Sequence, residues 1–343
     1  MGRALGINAL MSIGFESTPG TAATAMGKVP FVSADIGPSQ GLLTDNILGL
    51  GRSPSEVGRD VVDVGGSIQI PVDVRNIGFW LRGLLGDPTS TPGSPNTHAY
   101  ASGGSSVEAL SIEVQHPAPG PAENFLNLGC KIGSMGFNFQ PSGLAEASVE
   151  VIGMSSSNSG TPHDSGGVDA LAVTRFNQFQ GSIEVGDSVL GNVTGATMNF
   201  SNGLEPVRVI STNQGVAGVD ELKESLTGDL TVRFDDTVIL DLAEAGTKSK
   251  LELIYTIDAN EKLHFTINEV IFARVPQSVS GEGGVEATYT WQANKPSSGN
   301  MLDCVLTNDQ ADMDIAASSV VGPPHSAGGL PSTPENSQRN PKC

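Results

Sequence analysis

Apolar and polar positions alternate along much of this chain, and one alternating stretch occurs twice in nearly the same form. Val64, Ile68, Ile70 and Val72 keep the alternation around Gly66, and Leu226, Leu230, Val232 and Phe234 keep it around Gly228. Such period-2 patterning predicts half-buried strands, because successive side chains point to opposite faces of a sheet. Each strand is followed by a segment of different period. Ile77, Trp80, Leu81 and Leu84 fall at i, i+3, i+4 and i+7, the apolar stripe of an amphipathic helix. At the same offset of 162 residues stand Ile239, Leu242, Ala243 and Gly246. Asn76 is placed to cap the first helix and Asp235 or Asp236 the second, while Gly86 and Gly246 are placed to end them.

Further along, the offset falls to about 140. Leu110, Ile112 and Val114 alternate like Leu251, Leu253 and Tyr255, and Glu146–Val151 parallels Glu286–Trp291. The difference is accounted for by a Pro/Gly/Ser-rich stretch, Asp87 to Ser106, where the second copy has only Thr247 to Lys250. Insertions of this kind are tolerated because loop-closure entropy grows slowly with length. Strand, helix and strand in the same order, with one localised insertion, predict a tandem duplication of one β-rich unit.

The expected organisation is an N-terminal arm (1–27), a first unit (28–154), a linker (155–177), a second unit (178–310) and a C-terminal tail (311–343). The linker begins with the polar run Ser155–Pro162. The Gly/Pro/Ser-rich tail is expected to be disordered or docked on a neighbour. Each unit is expected to bury its own core. Each also carries a long segment before its Gly-marked strand, about Gly37 to Asp63 and Ser201 to Ser225, expected to be a functional loop. The fold class expected is mainly β: a sandwich or partial barrel with a short flanking helix, in two tandem copies.

Composition narrows the function. Gly numbers 43 of 343 residues and aromatics are 5%, against a usual glycine share of about 7%, which suits short strands and tight turns. The net charge is −19, and no basic cluster is available to neutralise phosphates, so tight nucleic-acid or anionic-membrane binding is not expected. Cys130, Cys304 and Cys343 form no CxxC pair and are read as thiols of a reducing compartment. The run Ala4–Phe15 contains Gly6, Asn8, Ser12 and Gly14, too polar for the core of a signal peptide. No stretch reaches the roughly 20 apolar residues of a membrane span.

Catalytic and ligand constellations are expected to be absent. His163-Asp164-Ser165-Gly166-Gly167 is similar to the nucleophile segment of chymotrypsin-like proteases, but no partner His and Asp segments precede it, and a linker does not hold a triad rigidly. Gly49–Pro54 lacks the third glycine of a dinucleotide loop. His98, His116, His163, His264 and His325 show no metal-ligand spacing. Asp309, Asp312 and Asp314 lack the order of a calcium loop. Trp80 and Trp291 fall on apolar faces and are expected in the core. No catalytic residue, cofactor or metal is therefore assigned. The alternatives are a β-sandwich adhesion or carbohydrate-binding module of a virion or cell surface and, more remotely, a hydrolase built on Ser165.

Four phrases give a positive indication. Ala4-Leu5-Gly6-Ile7-Asn8, Glu16-Ser17-Thr18-Pro19-Gly20-Thr21, Asn127-Leu128-Gly129-Cys130-Lys131-Ile132 and Gly195–Leu204 resemble siphophage tail tube proteins. The resemblance spans about residues 4 to 310. It implies two packed antiparallel sheets with a flanking helix, in subunits that form rings whose inner sheets join into a barrel around a channel. Family members with one unit form hexamers, so a duplicated chain would need three copies for a pseudo-sixfold ring. Long loops would reach the next ring, which makes Asn46, Leu48, Val57, Val207, Val209 and Leu222 candidate inter-ring contacts. The implied partners are the chain itself, a tape-measure protein, and tail terminator and distal tail proteins. Genomic DNA would pass through the lumen without sequence-specific binding and no membrane would be bound. The implied location is the virion tail, assembled in the host cytoplasm.

Overall fold

The computed structural model describes residues 5–49, 51–53, 56–116, 122–164, 168–210, 215–234, 237–277, 282 and 284–315. The first part of the chain supplies β1 (Leu10–Phe15), β2 (Gly27–Lys28), β3 (Ser33–Thr44), β4 (Val57–Pro71), α1 (Ile77–Leu85), β5 (Thr89–Thr91), β6 (Asn96–Ala101), β7 (Leu110–His116), β8 (Glu123–Phe139), β9 (Glu146–Gly153) and β10 (Ser155–Ser159). The second supplies β11 (Gly181–Val185), β12 (Ser188–Val189), β13 (Val193–Ser201), β14 (Leu204–Val207), β15 (Gly218–Glu221), β16 (Ser225–Arg233), α2 (Val238–Ala245), β17 (Ser249–Thr256), β18 (Lys262–Phe272), β19 (Glu286–Ala293) and β20 (Leu302–Asn308). The protein is mainly β, with large antiparallel sheets.

The two parts pair their strands in the same order. In the first, β1 pairs with β7, β7 with β8, β8 with β9, β9 with β4 and β4 with β3. In the second, β11 pairs with β17, β17 with β18, β18 with β19, β19 with β16 and β16 with β13. β10 lies against the first half of β8, and β20 takes the matching place on β18. β13 then pairs with the second half of β8, so one sheet runs β3-β4-β9-β8-β13-β16-β19-β18 across both parts.

One glycine in each part shows how closely the registers match. A Cβ on Gly66 would lie 1.8 Å from the Asp35 carbonyl oxygen, and one on Gly228 2.0 Å from that of Thr197. Both glycines and both carbonyls are related by the 162-residue offset. Gly66 has φ +142, a conformation that side-chain-bearing residues rarely adopt. The alternation breaks there because the neighbouring backbone occupies the space a side chain would need.

The helices sit where the apolar stripe predicts, with Ile77, Trp80, Leu81 and Leu84 all buried. Gly86 (φ 97) and Gly246 (φ 61, left-handed) end them. The cap differs from expectation. Asn76 makes no side-chain cap bond; instead Asp73, fully buried, accepts from the Asn76 and Ile77 amides at 3.1 Å each and from Asn76 Nδ2 at 2.7 Å. A carboxylate does this better than an amide because it accepts several bonds at once and opposes the helix dipole. Burial raises the Asp73 pKa, against the hydrogen bonds that hold it down. On the second helix, Thr237 is the N-cap residue, and Asp235 and Asp236 lie outside the described residues.

Several segments expected to be irregular are strands. Gly37–Asp63 is largely a long hairpin of β3 and β4, and within Ser201–Ser225 the described part contains the separate hairpin β14–β15. Asp87–Ser106 contains β5 and β6, and β6 pairs with β20 of the second part. The start of the 155–177 linker is β10, and Phe176 near its end is fully buried, donating its amide to the Val72 carbonyl. Within the 1–27 arm, β1 is a sheet strand paired along its whole length with β7. β3 and β10 are rich in Ser, Gly and Pro and largely exposed, so they lack alternation, yet their backbone groups still require partners. Separate cores are not seen either. One continuous apolar cluster includes Ile13, Ile68 and Trp80 of the first part and Tyr255, Phe265 and Trp291 of the second. Of the tail, residues 311–315 are described, with Met313 and Ile315 in that cluster; the remainder lies outside the described residues.

Candidate assembly surfaces

The contact between the two parts is built from β8 and β13. Ser134 to Phe139 lie opposite Ser201 to Ala196 in antiparallel register. Ala196, Met198 and Phe200 are all buried there on the face turned to the core, while Thr197 and Asn199 between them are exposed. Aromatic rings cross the same contact: Phe139 stacks on Tyr255 at 4.6 Å between centroids, and Phe137 meets Phe265 at 4.8 Å. Such pairs contribute about 0.5–1.5 kcal/mol each beyond the area they bury.

Asn202, at the end of β13, bolts this junction. Its buried side-chain amide donates to the Leu84 carbonyl (3.0 Å) and the Ile132 carbonyl (2.9 Å), and its backbone amide donates to Gly133 O (2.8 Å). Gly203, with φ +58, lets the chain turn there with its Cα against Lys223. The hairpin beyond folds back on the first part. Lys131 donates to the Val219 carbonyl (2.9 Å) and pairs with Glu221 (2.5 Å), which also accepts from the Val107 amide. Burial pushes Glu221 up, but the bonds from Lys131 and Val107 outweigh it and leave its pKa below the usual carboxylate value.

Glu16 makes a second bolt. Its carboxylate accepts from the Gly20 and Gly129 amides and the Ser111 hydroxyl, at 2.7–3.1 Å. Two of the phrases singled out from sequence, Glu16–Thr21 and Asn127–Ile132, therefore meet in space. Their shared chemistry is structural: a carboxylate closing a turn against a strand.

Open edges are the other feature. β3 pairs with β4 on one side, and among the described residues no strand pairs with its other edge. The far end of this hairpin is apolar and exposed: Leu42, Leu43, Ile47, Leu48 and Val57 are each more than half exposed, Leu48 at 94%. Asn46, Leu48 and Val57 all belong to this end. Val207 is half-buried in the β14–β15 hairpin, opposite Gly218, whereas Val209 and Leu222 are exposed. The six candidate contacts thus fall on two hairpins, one extended and one folded back. Sequence reasoning missed Asp73, Lys131 and Asn202 as individuals. The signal for Asn202 was available: Ser39-Gln40-Gly41-Leu42 is an imperfect copy of Ser201-Asn202-Gly203-Leu204 at the 162-residue offset.

Among the described residues no reactive constellation accompanies these surfaces. A cleft of about 370 Å³ near Phe139, Phe179 and Val189 has no ionisable side chain in its lining. Among the described residues no group of three His, Cys, Asp or Glu is arranged to hold a metal ion. His163 is engaged with the Ala23 carbonyl through Nε2, and Ser165 lies outside the described residues. Cys130 and Cys304 are buried, which pushes both thiols well above their ordinary pKa and away from reactivity. Trp80 and Trp291 are each 1% exposed, so neither offers a ring face to a ligand. No helix among the described residues is long and apolar enough to cross a membrane.

An unpaired strand edge among the described residues, an exposed apolar hairpin end and interior bolts that serve packing are features of a structural β protein. The family comparison agrees: the model of the phage tail tube protein family matches residues 6–293, and the chain belongs to that family. Its role is structural, in the tail of a phage. No curated protein matches it.

Proposed function

We propose that the chain is a duplicated tube subunit, three copies of which close into a pseudo-sixfold ring, and that rings stack into the tube through which phage DNA leaves the capsid. The observation that carries this reading is the repeated pairing order, β1-β7-β8-β9-β4-β3 and β11-β17-β18-β19-β16-β13. Two units that pair alike and join through one strand edge leave, among the described residues, another edge open at each end of the shared sheet. Head-to-tail contacts close into rings when the rotation per unit divides a full turn, and ring closure removes the aggregation hazard of open edges. Asn46, Leu48 and Val57 at the exposed end of the β3–β4 hairpin, and half-buried Val207 with exposed Val209 and Leu222 around the β14–β15 hairpin, are assigned to contacts between rings. A net charge of −19 supports a channel wall that repels phosphates, so that DNA slides without sequence-specific binding. Tape-measure, terminator and distal tail proteins are the expected partners, with assembly in the host cytoplasm and no catalytic activity.

Negative-stain microscopy and native mass measurement of the purified chain test this reading. Rings with a central hole, at three times 35.3 kDa or stacks of that unit, are expected. A chain that stays monomeric at high concentration would overturn it, and six chains per ring would refute the stoichiometry.

A further inference from the structure

We infer that the junction between the chain's two halves is repeated between chains: the outer edge of β3 in one copy pairs antiparallel with the segment following β18 in the next. This rests on the tube reading above and specifies the partner edge and its register. Both members of the new contact are fixed by their counterparts inside the chain. β13 lies on β16 with Ala196 opposite Leu230, and β3 lies on β4 with Ala34 opposite Ile68. Both positions differ by 162 residues, so Ala34–Ser39 corresponds to Ala196–Ser201. On the other member, Ile132 of β8 faces Val151 of β9, and Phe272 of β18 faces Trp291 of β19. Both differ by 140, so Arg274–Gln277 corresponds to Ser134–Phe137.

The segment after β18 keeps the course that the second half of β8 follows. Ala273 donates its amide to the Thr290 carbonyl (2.8 Å), and Gln277 Nε2 donates to the Tyr289 hydroxyl (2.8 Å), so residues 273–277 still run beside β19. In the first half of the chain, β13 covers this position. In the second half no described strand does. Inside the chain, Ser201 faces Ser134, Phe200 faces Met135, Asn199 faces Gly136 and Met198 faces Phe137. Transferred between chains, Ser39 faces Arg274, Pro38 faces Val275, Gly37 faces Pro276 and Ile36 faces Gln277.

Side-chain bulk agrees with this register. Inside the chain the larger Asn199 meets Gly136, and between chains Pro276 meets Gly37, so the bulk is exchanged and the pair stays one large and one absent side chain. A Cβ on Gly37 would have nothing within 4 Å in the single chain, so no intrachain packing demands glycine there. Ile36 is half-buried where its counterpart Met198 is 1% exposed. Pro38 and Pro276 each remove one backbone donor. Prolines on edge strands limit indiscriminate pairing, which leaves this contact selective for its own partner.

Three variants test the inference, the two cysteine pairs with Cys343 replaced by Ser. In Ser39→Cys/Arg274→Cys, mild oxidation of the assembled protein is expected to give covalent multimers that end at three chains. Ser201→Cys/Ser134→Cys serves as control, since those positions face each other within one chain. Gly37→Asn is expected to keep the thermal midpoint of the monomer and to raise the concentration needed for rings at least roughly tenfold, equivalent to about 1.4 kcal/mol. Rings on the grid with no cross-link at 39/274, while the control pair links, would overturn this contact and leave the tube reading standing. Gly37→Asn rings forming at the unaltered concentration would also overturn it. Failure of the parent chain to assemble at all would sink both.

Discussion

Single residues carry the clearest energetic consequences. Gly66 and Gly228 occupy matching positions with a carbonyl oxygen where a Cβ would sit. Alanine at either forces backbone movement, with an expected cost of about 1–3 kcal/mol. Gly228→Ala should be the more damaging of the two in urea unfolding, since β13 is held between β16 and β8 whereas, among the described strands, β3 is paired with β4 alone. Equal losses would show that the free edge of β3 yields no more readily than a clamped strand. Asp73→Ala strips the cap of α1 and leaves the Asn76 and Ile77 amides buried without their acceptor. A loss of about 2 kcal/mol is expected by denaturant titration, with Asp73→Asn losing less because one acceptor oxygen remains.

At the scale of elements, the β5–β6 hairpin couples stability to pH. His98 on β6 is fully buried, and its Nε2 meets Asn308 Oδ1 and the Gln310 carbonyl, each at 3.1 Å, while Nδ1 meets the Ser90 hydroxyl. Burial lowers its pKa, only partly offset by the bonds to Asn308 and Gln310. The unfolded chain therefore takes up the proton more readily than the folded one. The stability gained from neutral His98 is present above its unfolded pKa of about 6.5 and declines as pH falls below it. The thermal midpoint should drop between pH 7.5 and 5.5, and His98→Gln should flatten that part of the profile while costing about 1–2 kcal/mol at pH 7.5. An unaltered profile in the variant would place the titration elsewhere. The β14–β15 hairpin behaves oppositely in origin but alike in sign. Glu221 has a lowered pKa, so its contribution is present above the usual carboxylate range and is lost as pH falls through the depressed value. Lys131→Ala should expose residues 204–207 and 218–221 to faster amide exchange while leaving β8 protected.

For the whole molecule, the decisive property is that two β units share one core and one junction. Asn202 ties the second unit to α1 and β8 of the first, so Asn202→Ala should loosen the two units together. A single unfolding transition, lowered by about 1–3 kcal/mol, is expected in calorimetry; two resolved transitions would mean that the units are energetically independent. The acidic balance of 37 carboxylates to 18 basic residues gives a further expectation: electrophoretic retardation of duplex DNA should be absent even at low salt. Retardation would contradict a channel that lets DNA pass unbound.

Much of the fold was legible along the chain because alternation and helical period record which face of each element is buried. The strands around Gly66 and Gly228, the stripe Ile77-Trp80-Leu81-Leu84 and the two burials of tryptophan follow from that record alone. So does the correspondence between the two halves, since the offsets of 162 and 140 reappear in the strand registers. β3 and β10 were not legible, because half-exposed strands of Ser, Gly and Pro satisfy their backbone bonds without an apolar face to mark them; β6 was not, because its buried face is His98 and Tyr100 on a strand of six residues. The Asp73 cap and the bolts at Glu16, Lys131 and Asn202 join residues far apart in sequence, and such partners are set only when the sheets come together. The same holds for the junction itself. Sequence supplies two similar units, but only the packed chain reveals that β13 lies on β8 and that no described strand takes the matching edge beside β18, because edge pairing depends on backbone groups that every residue shares.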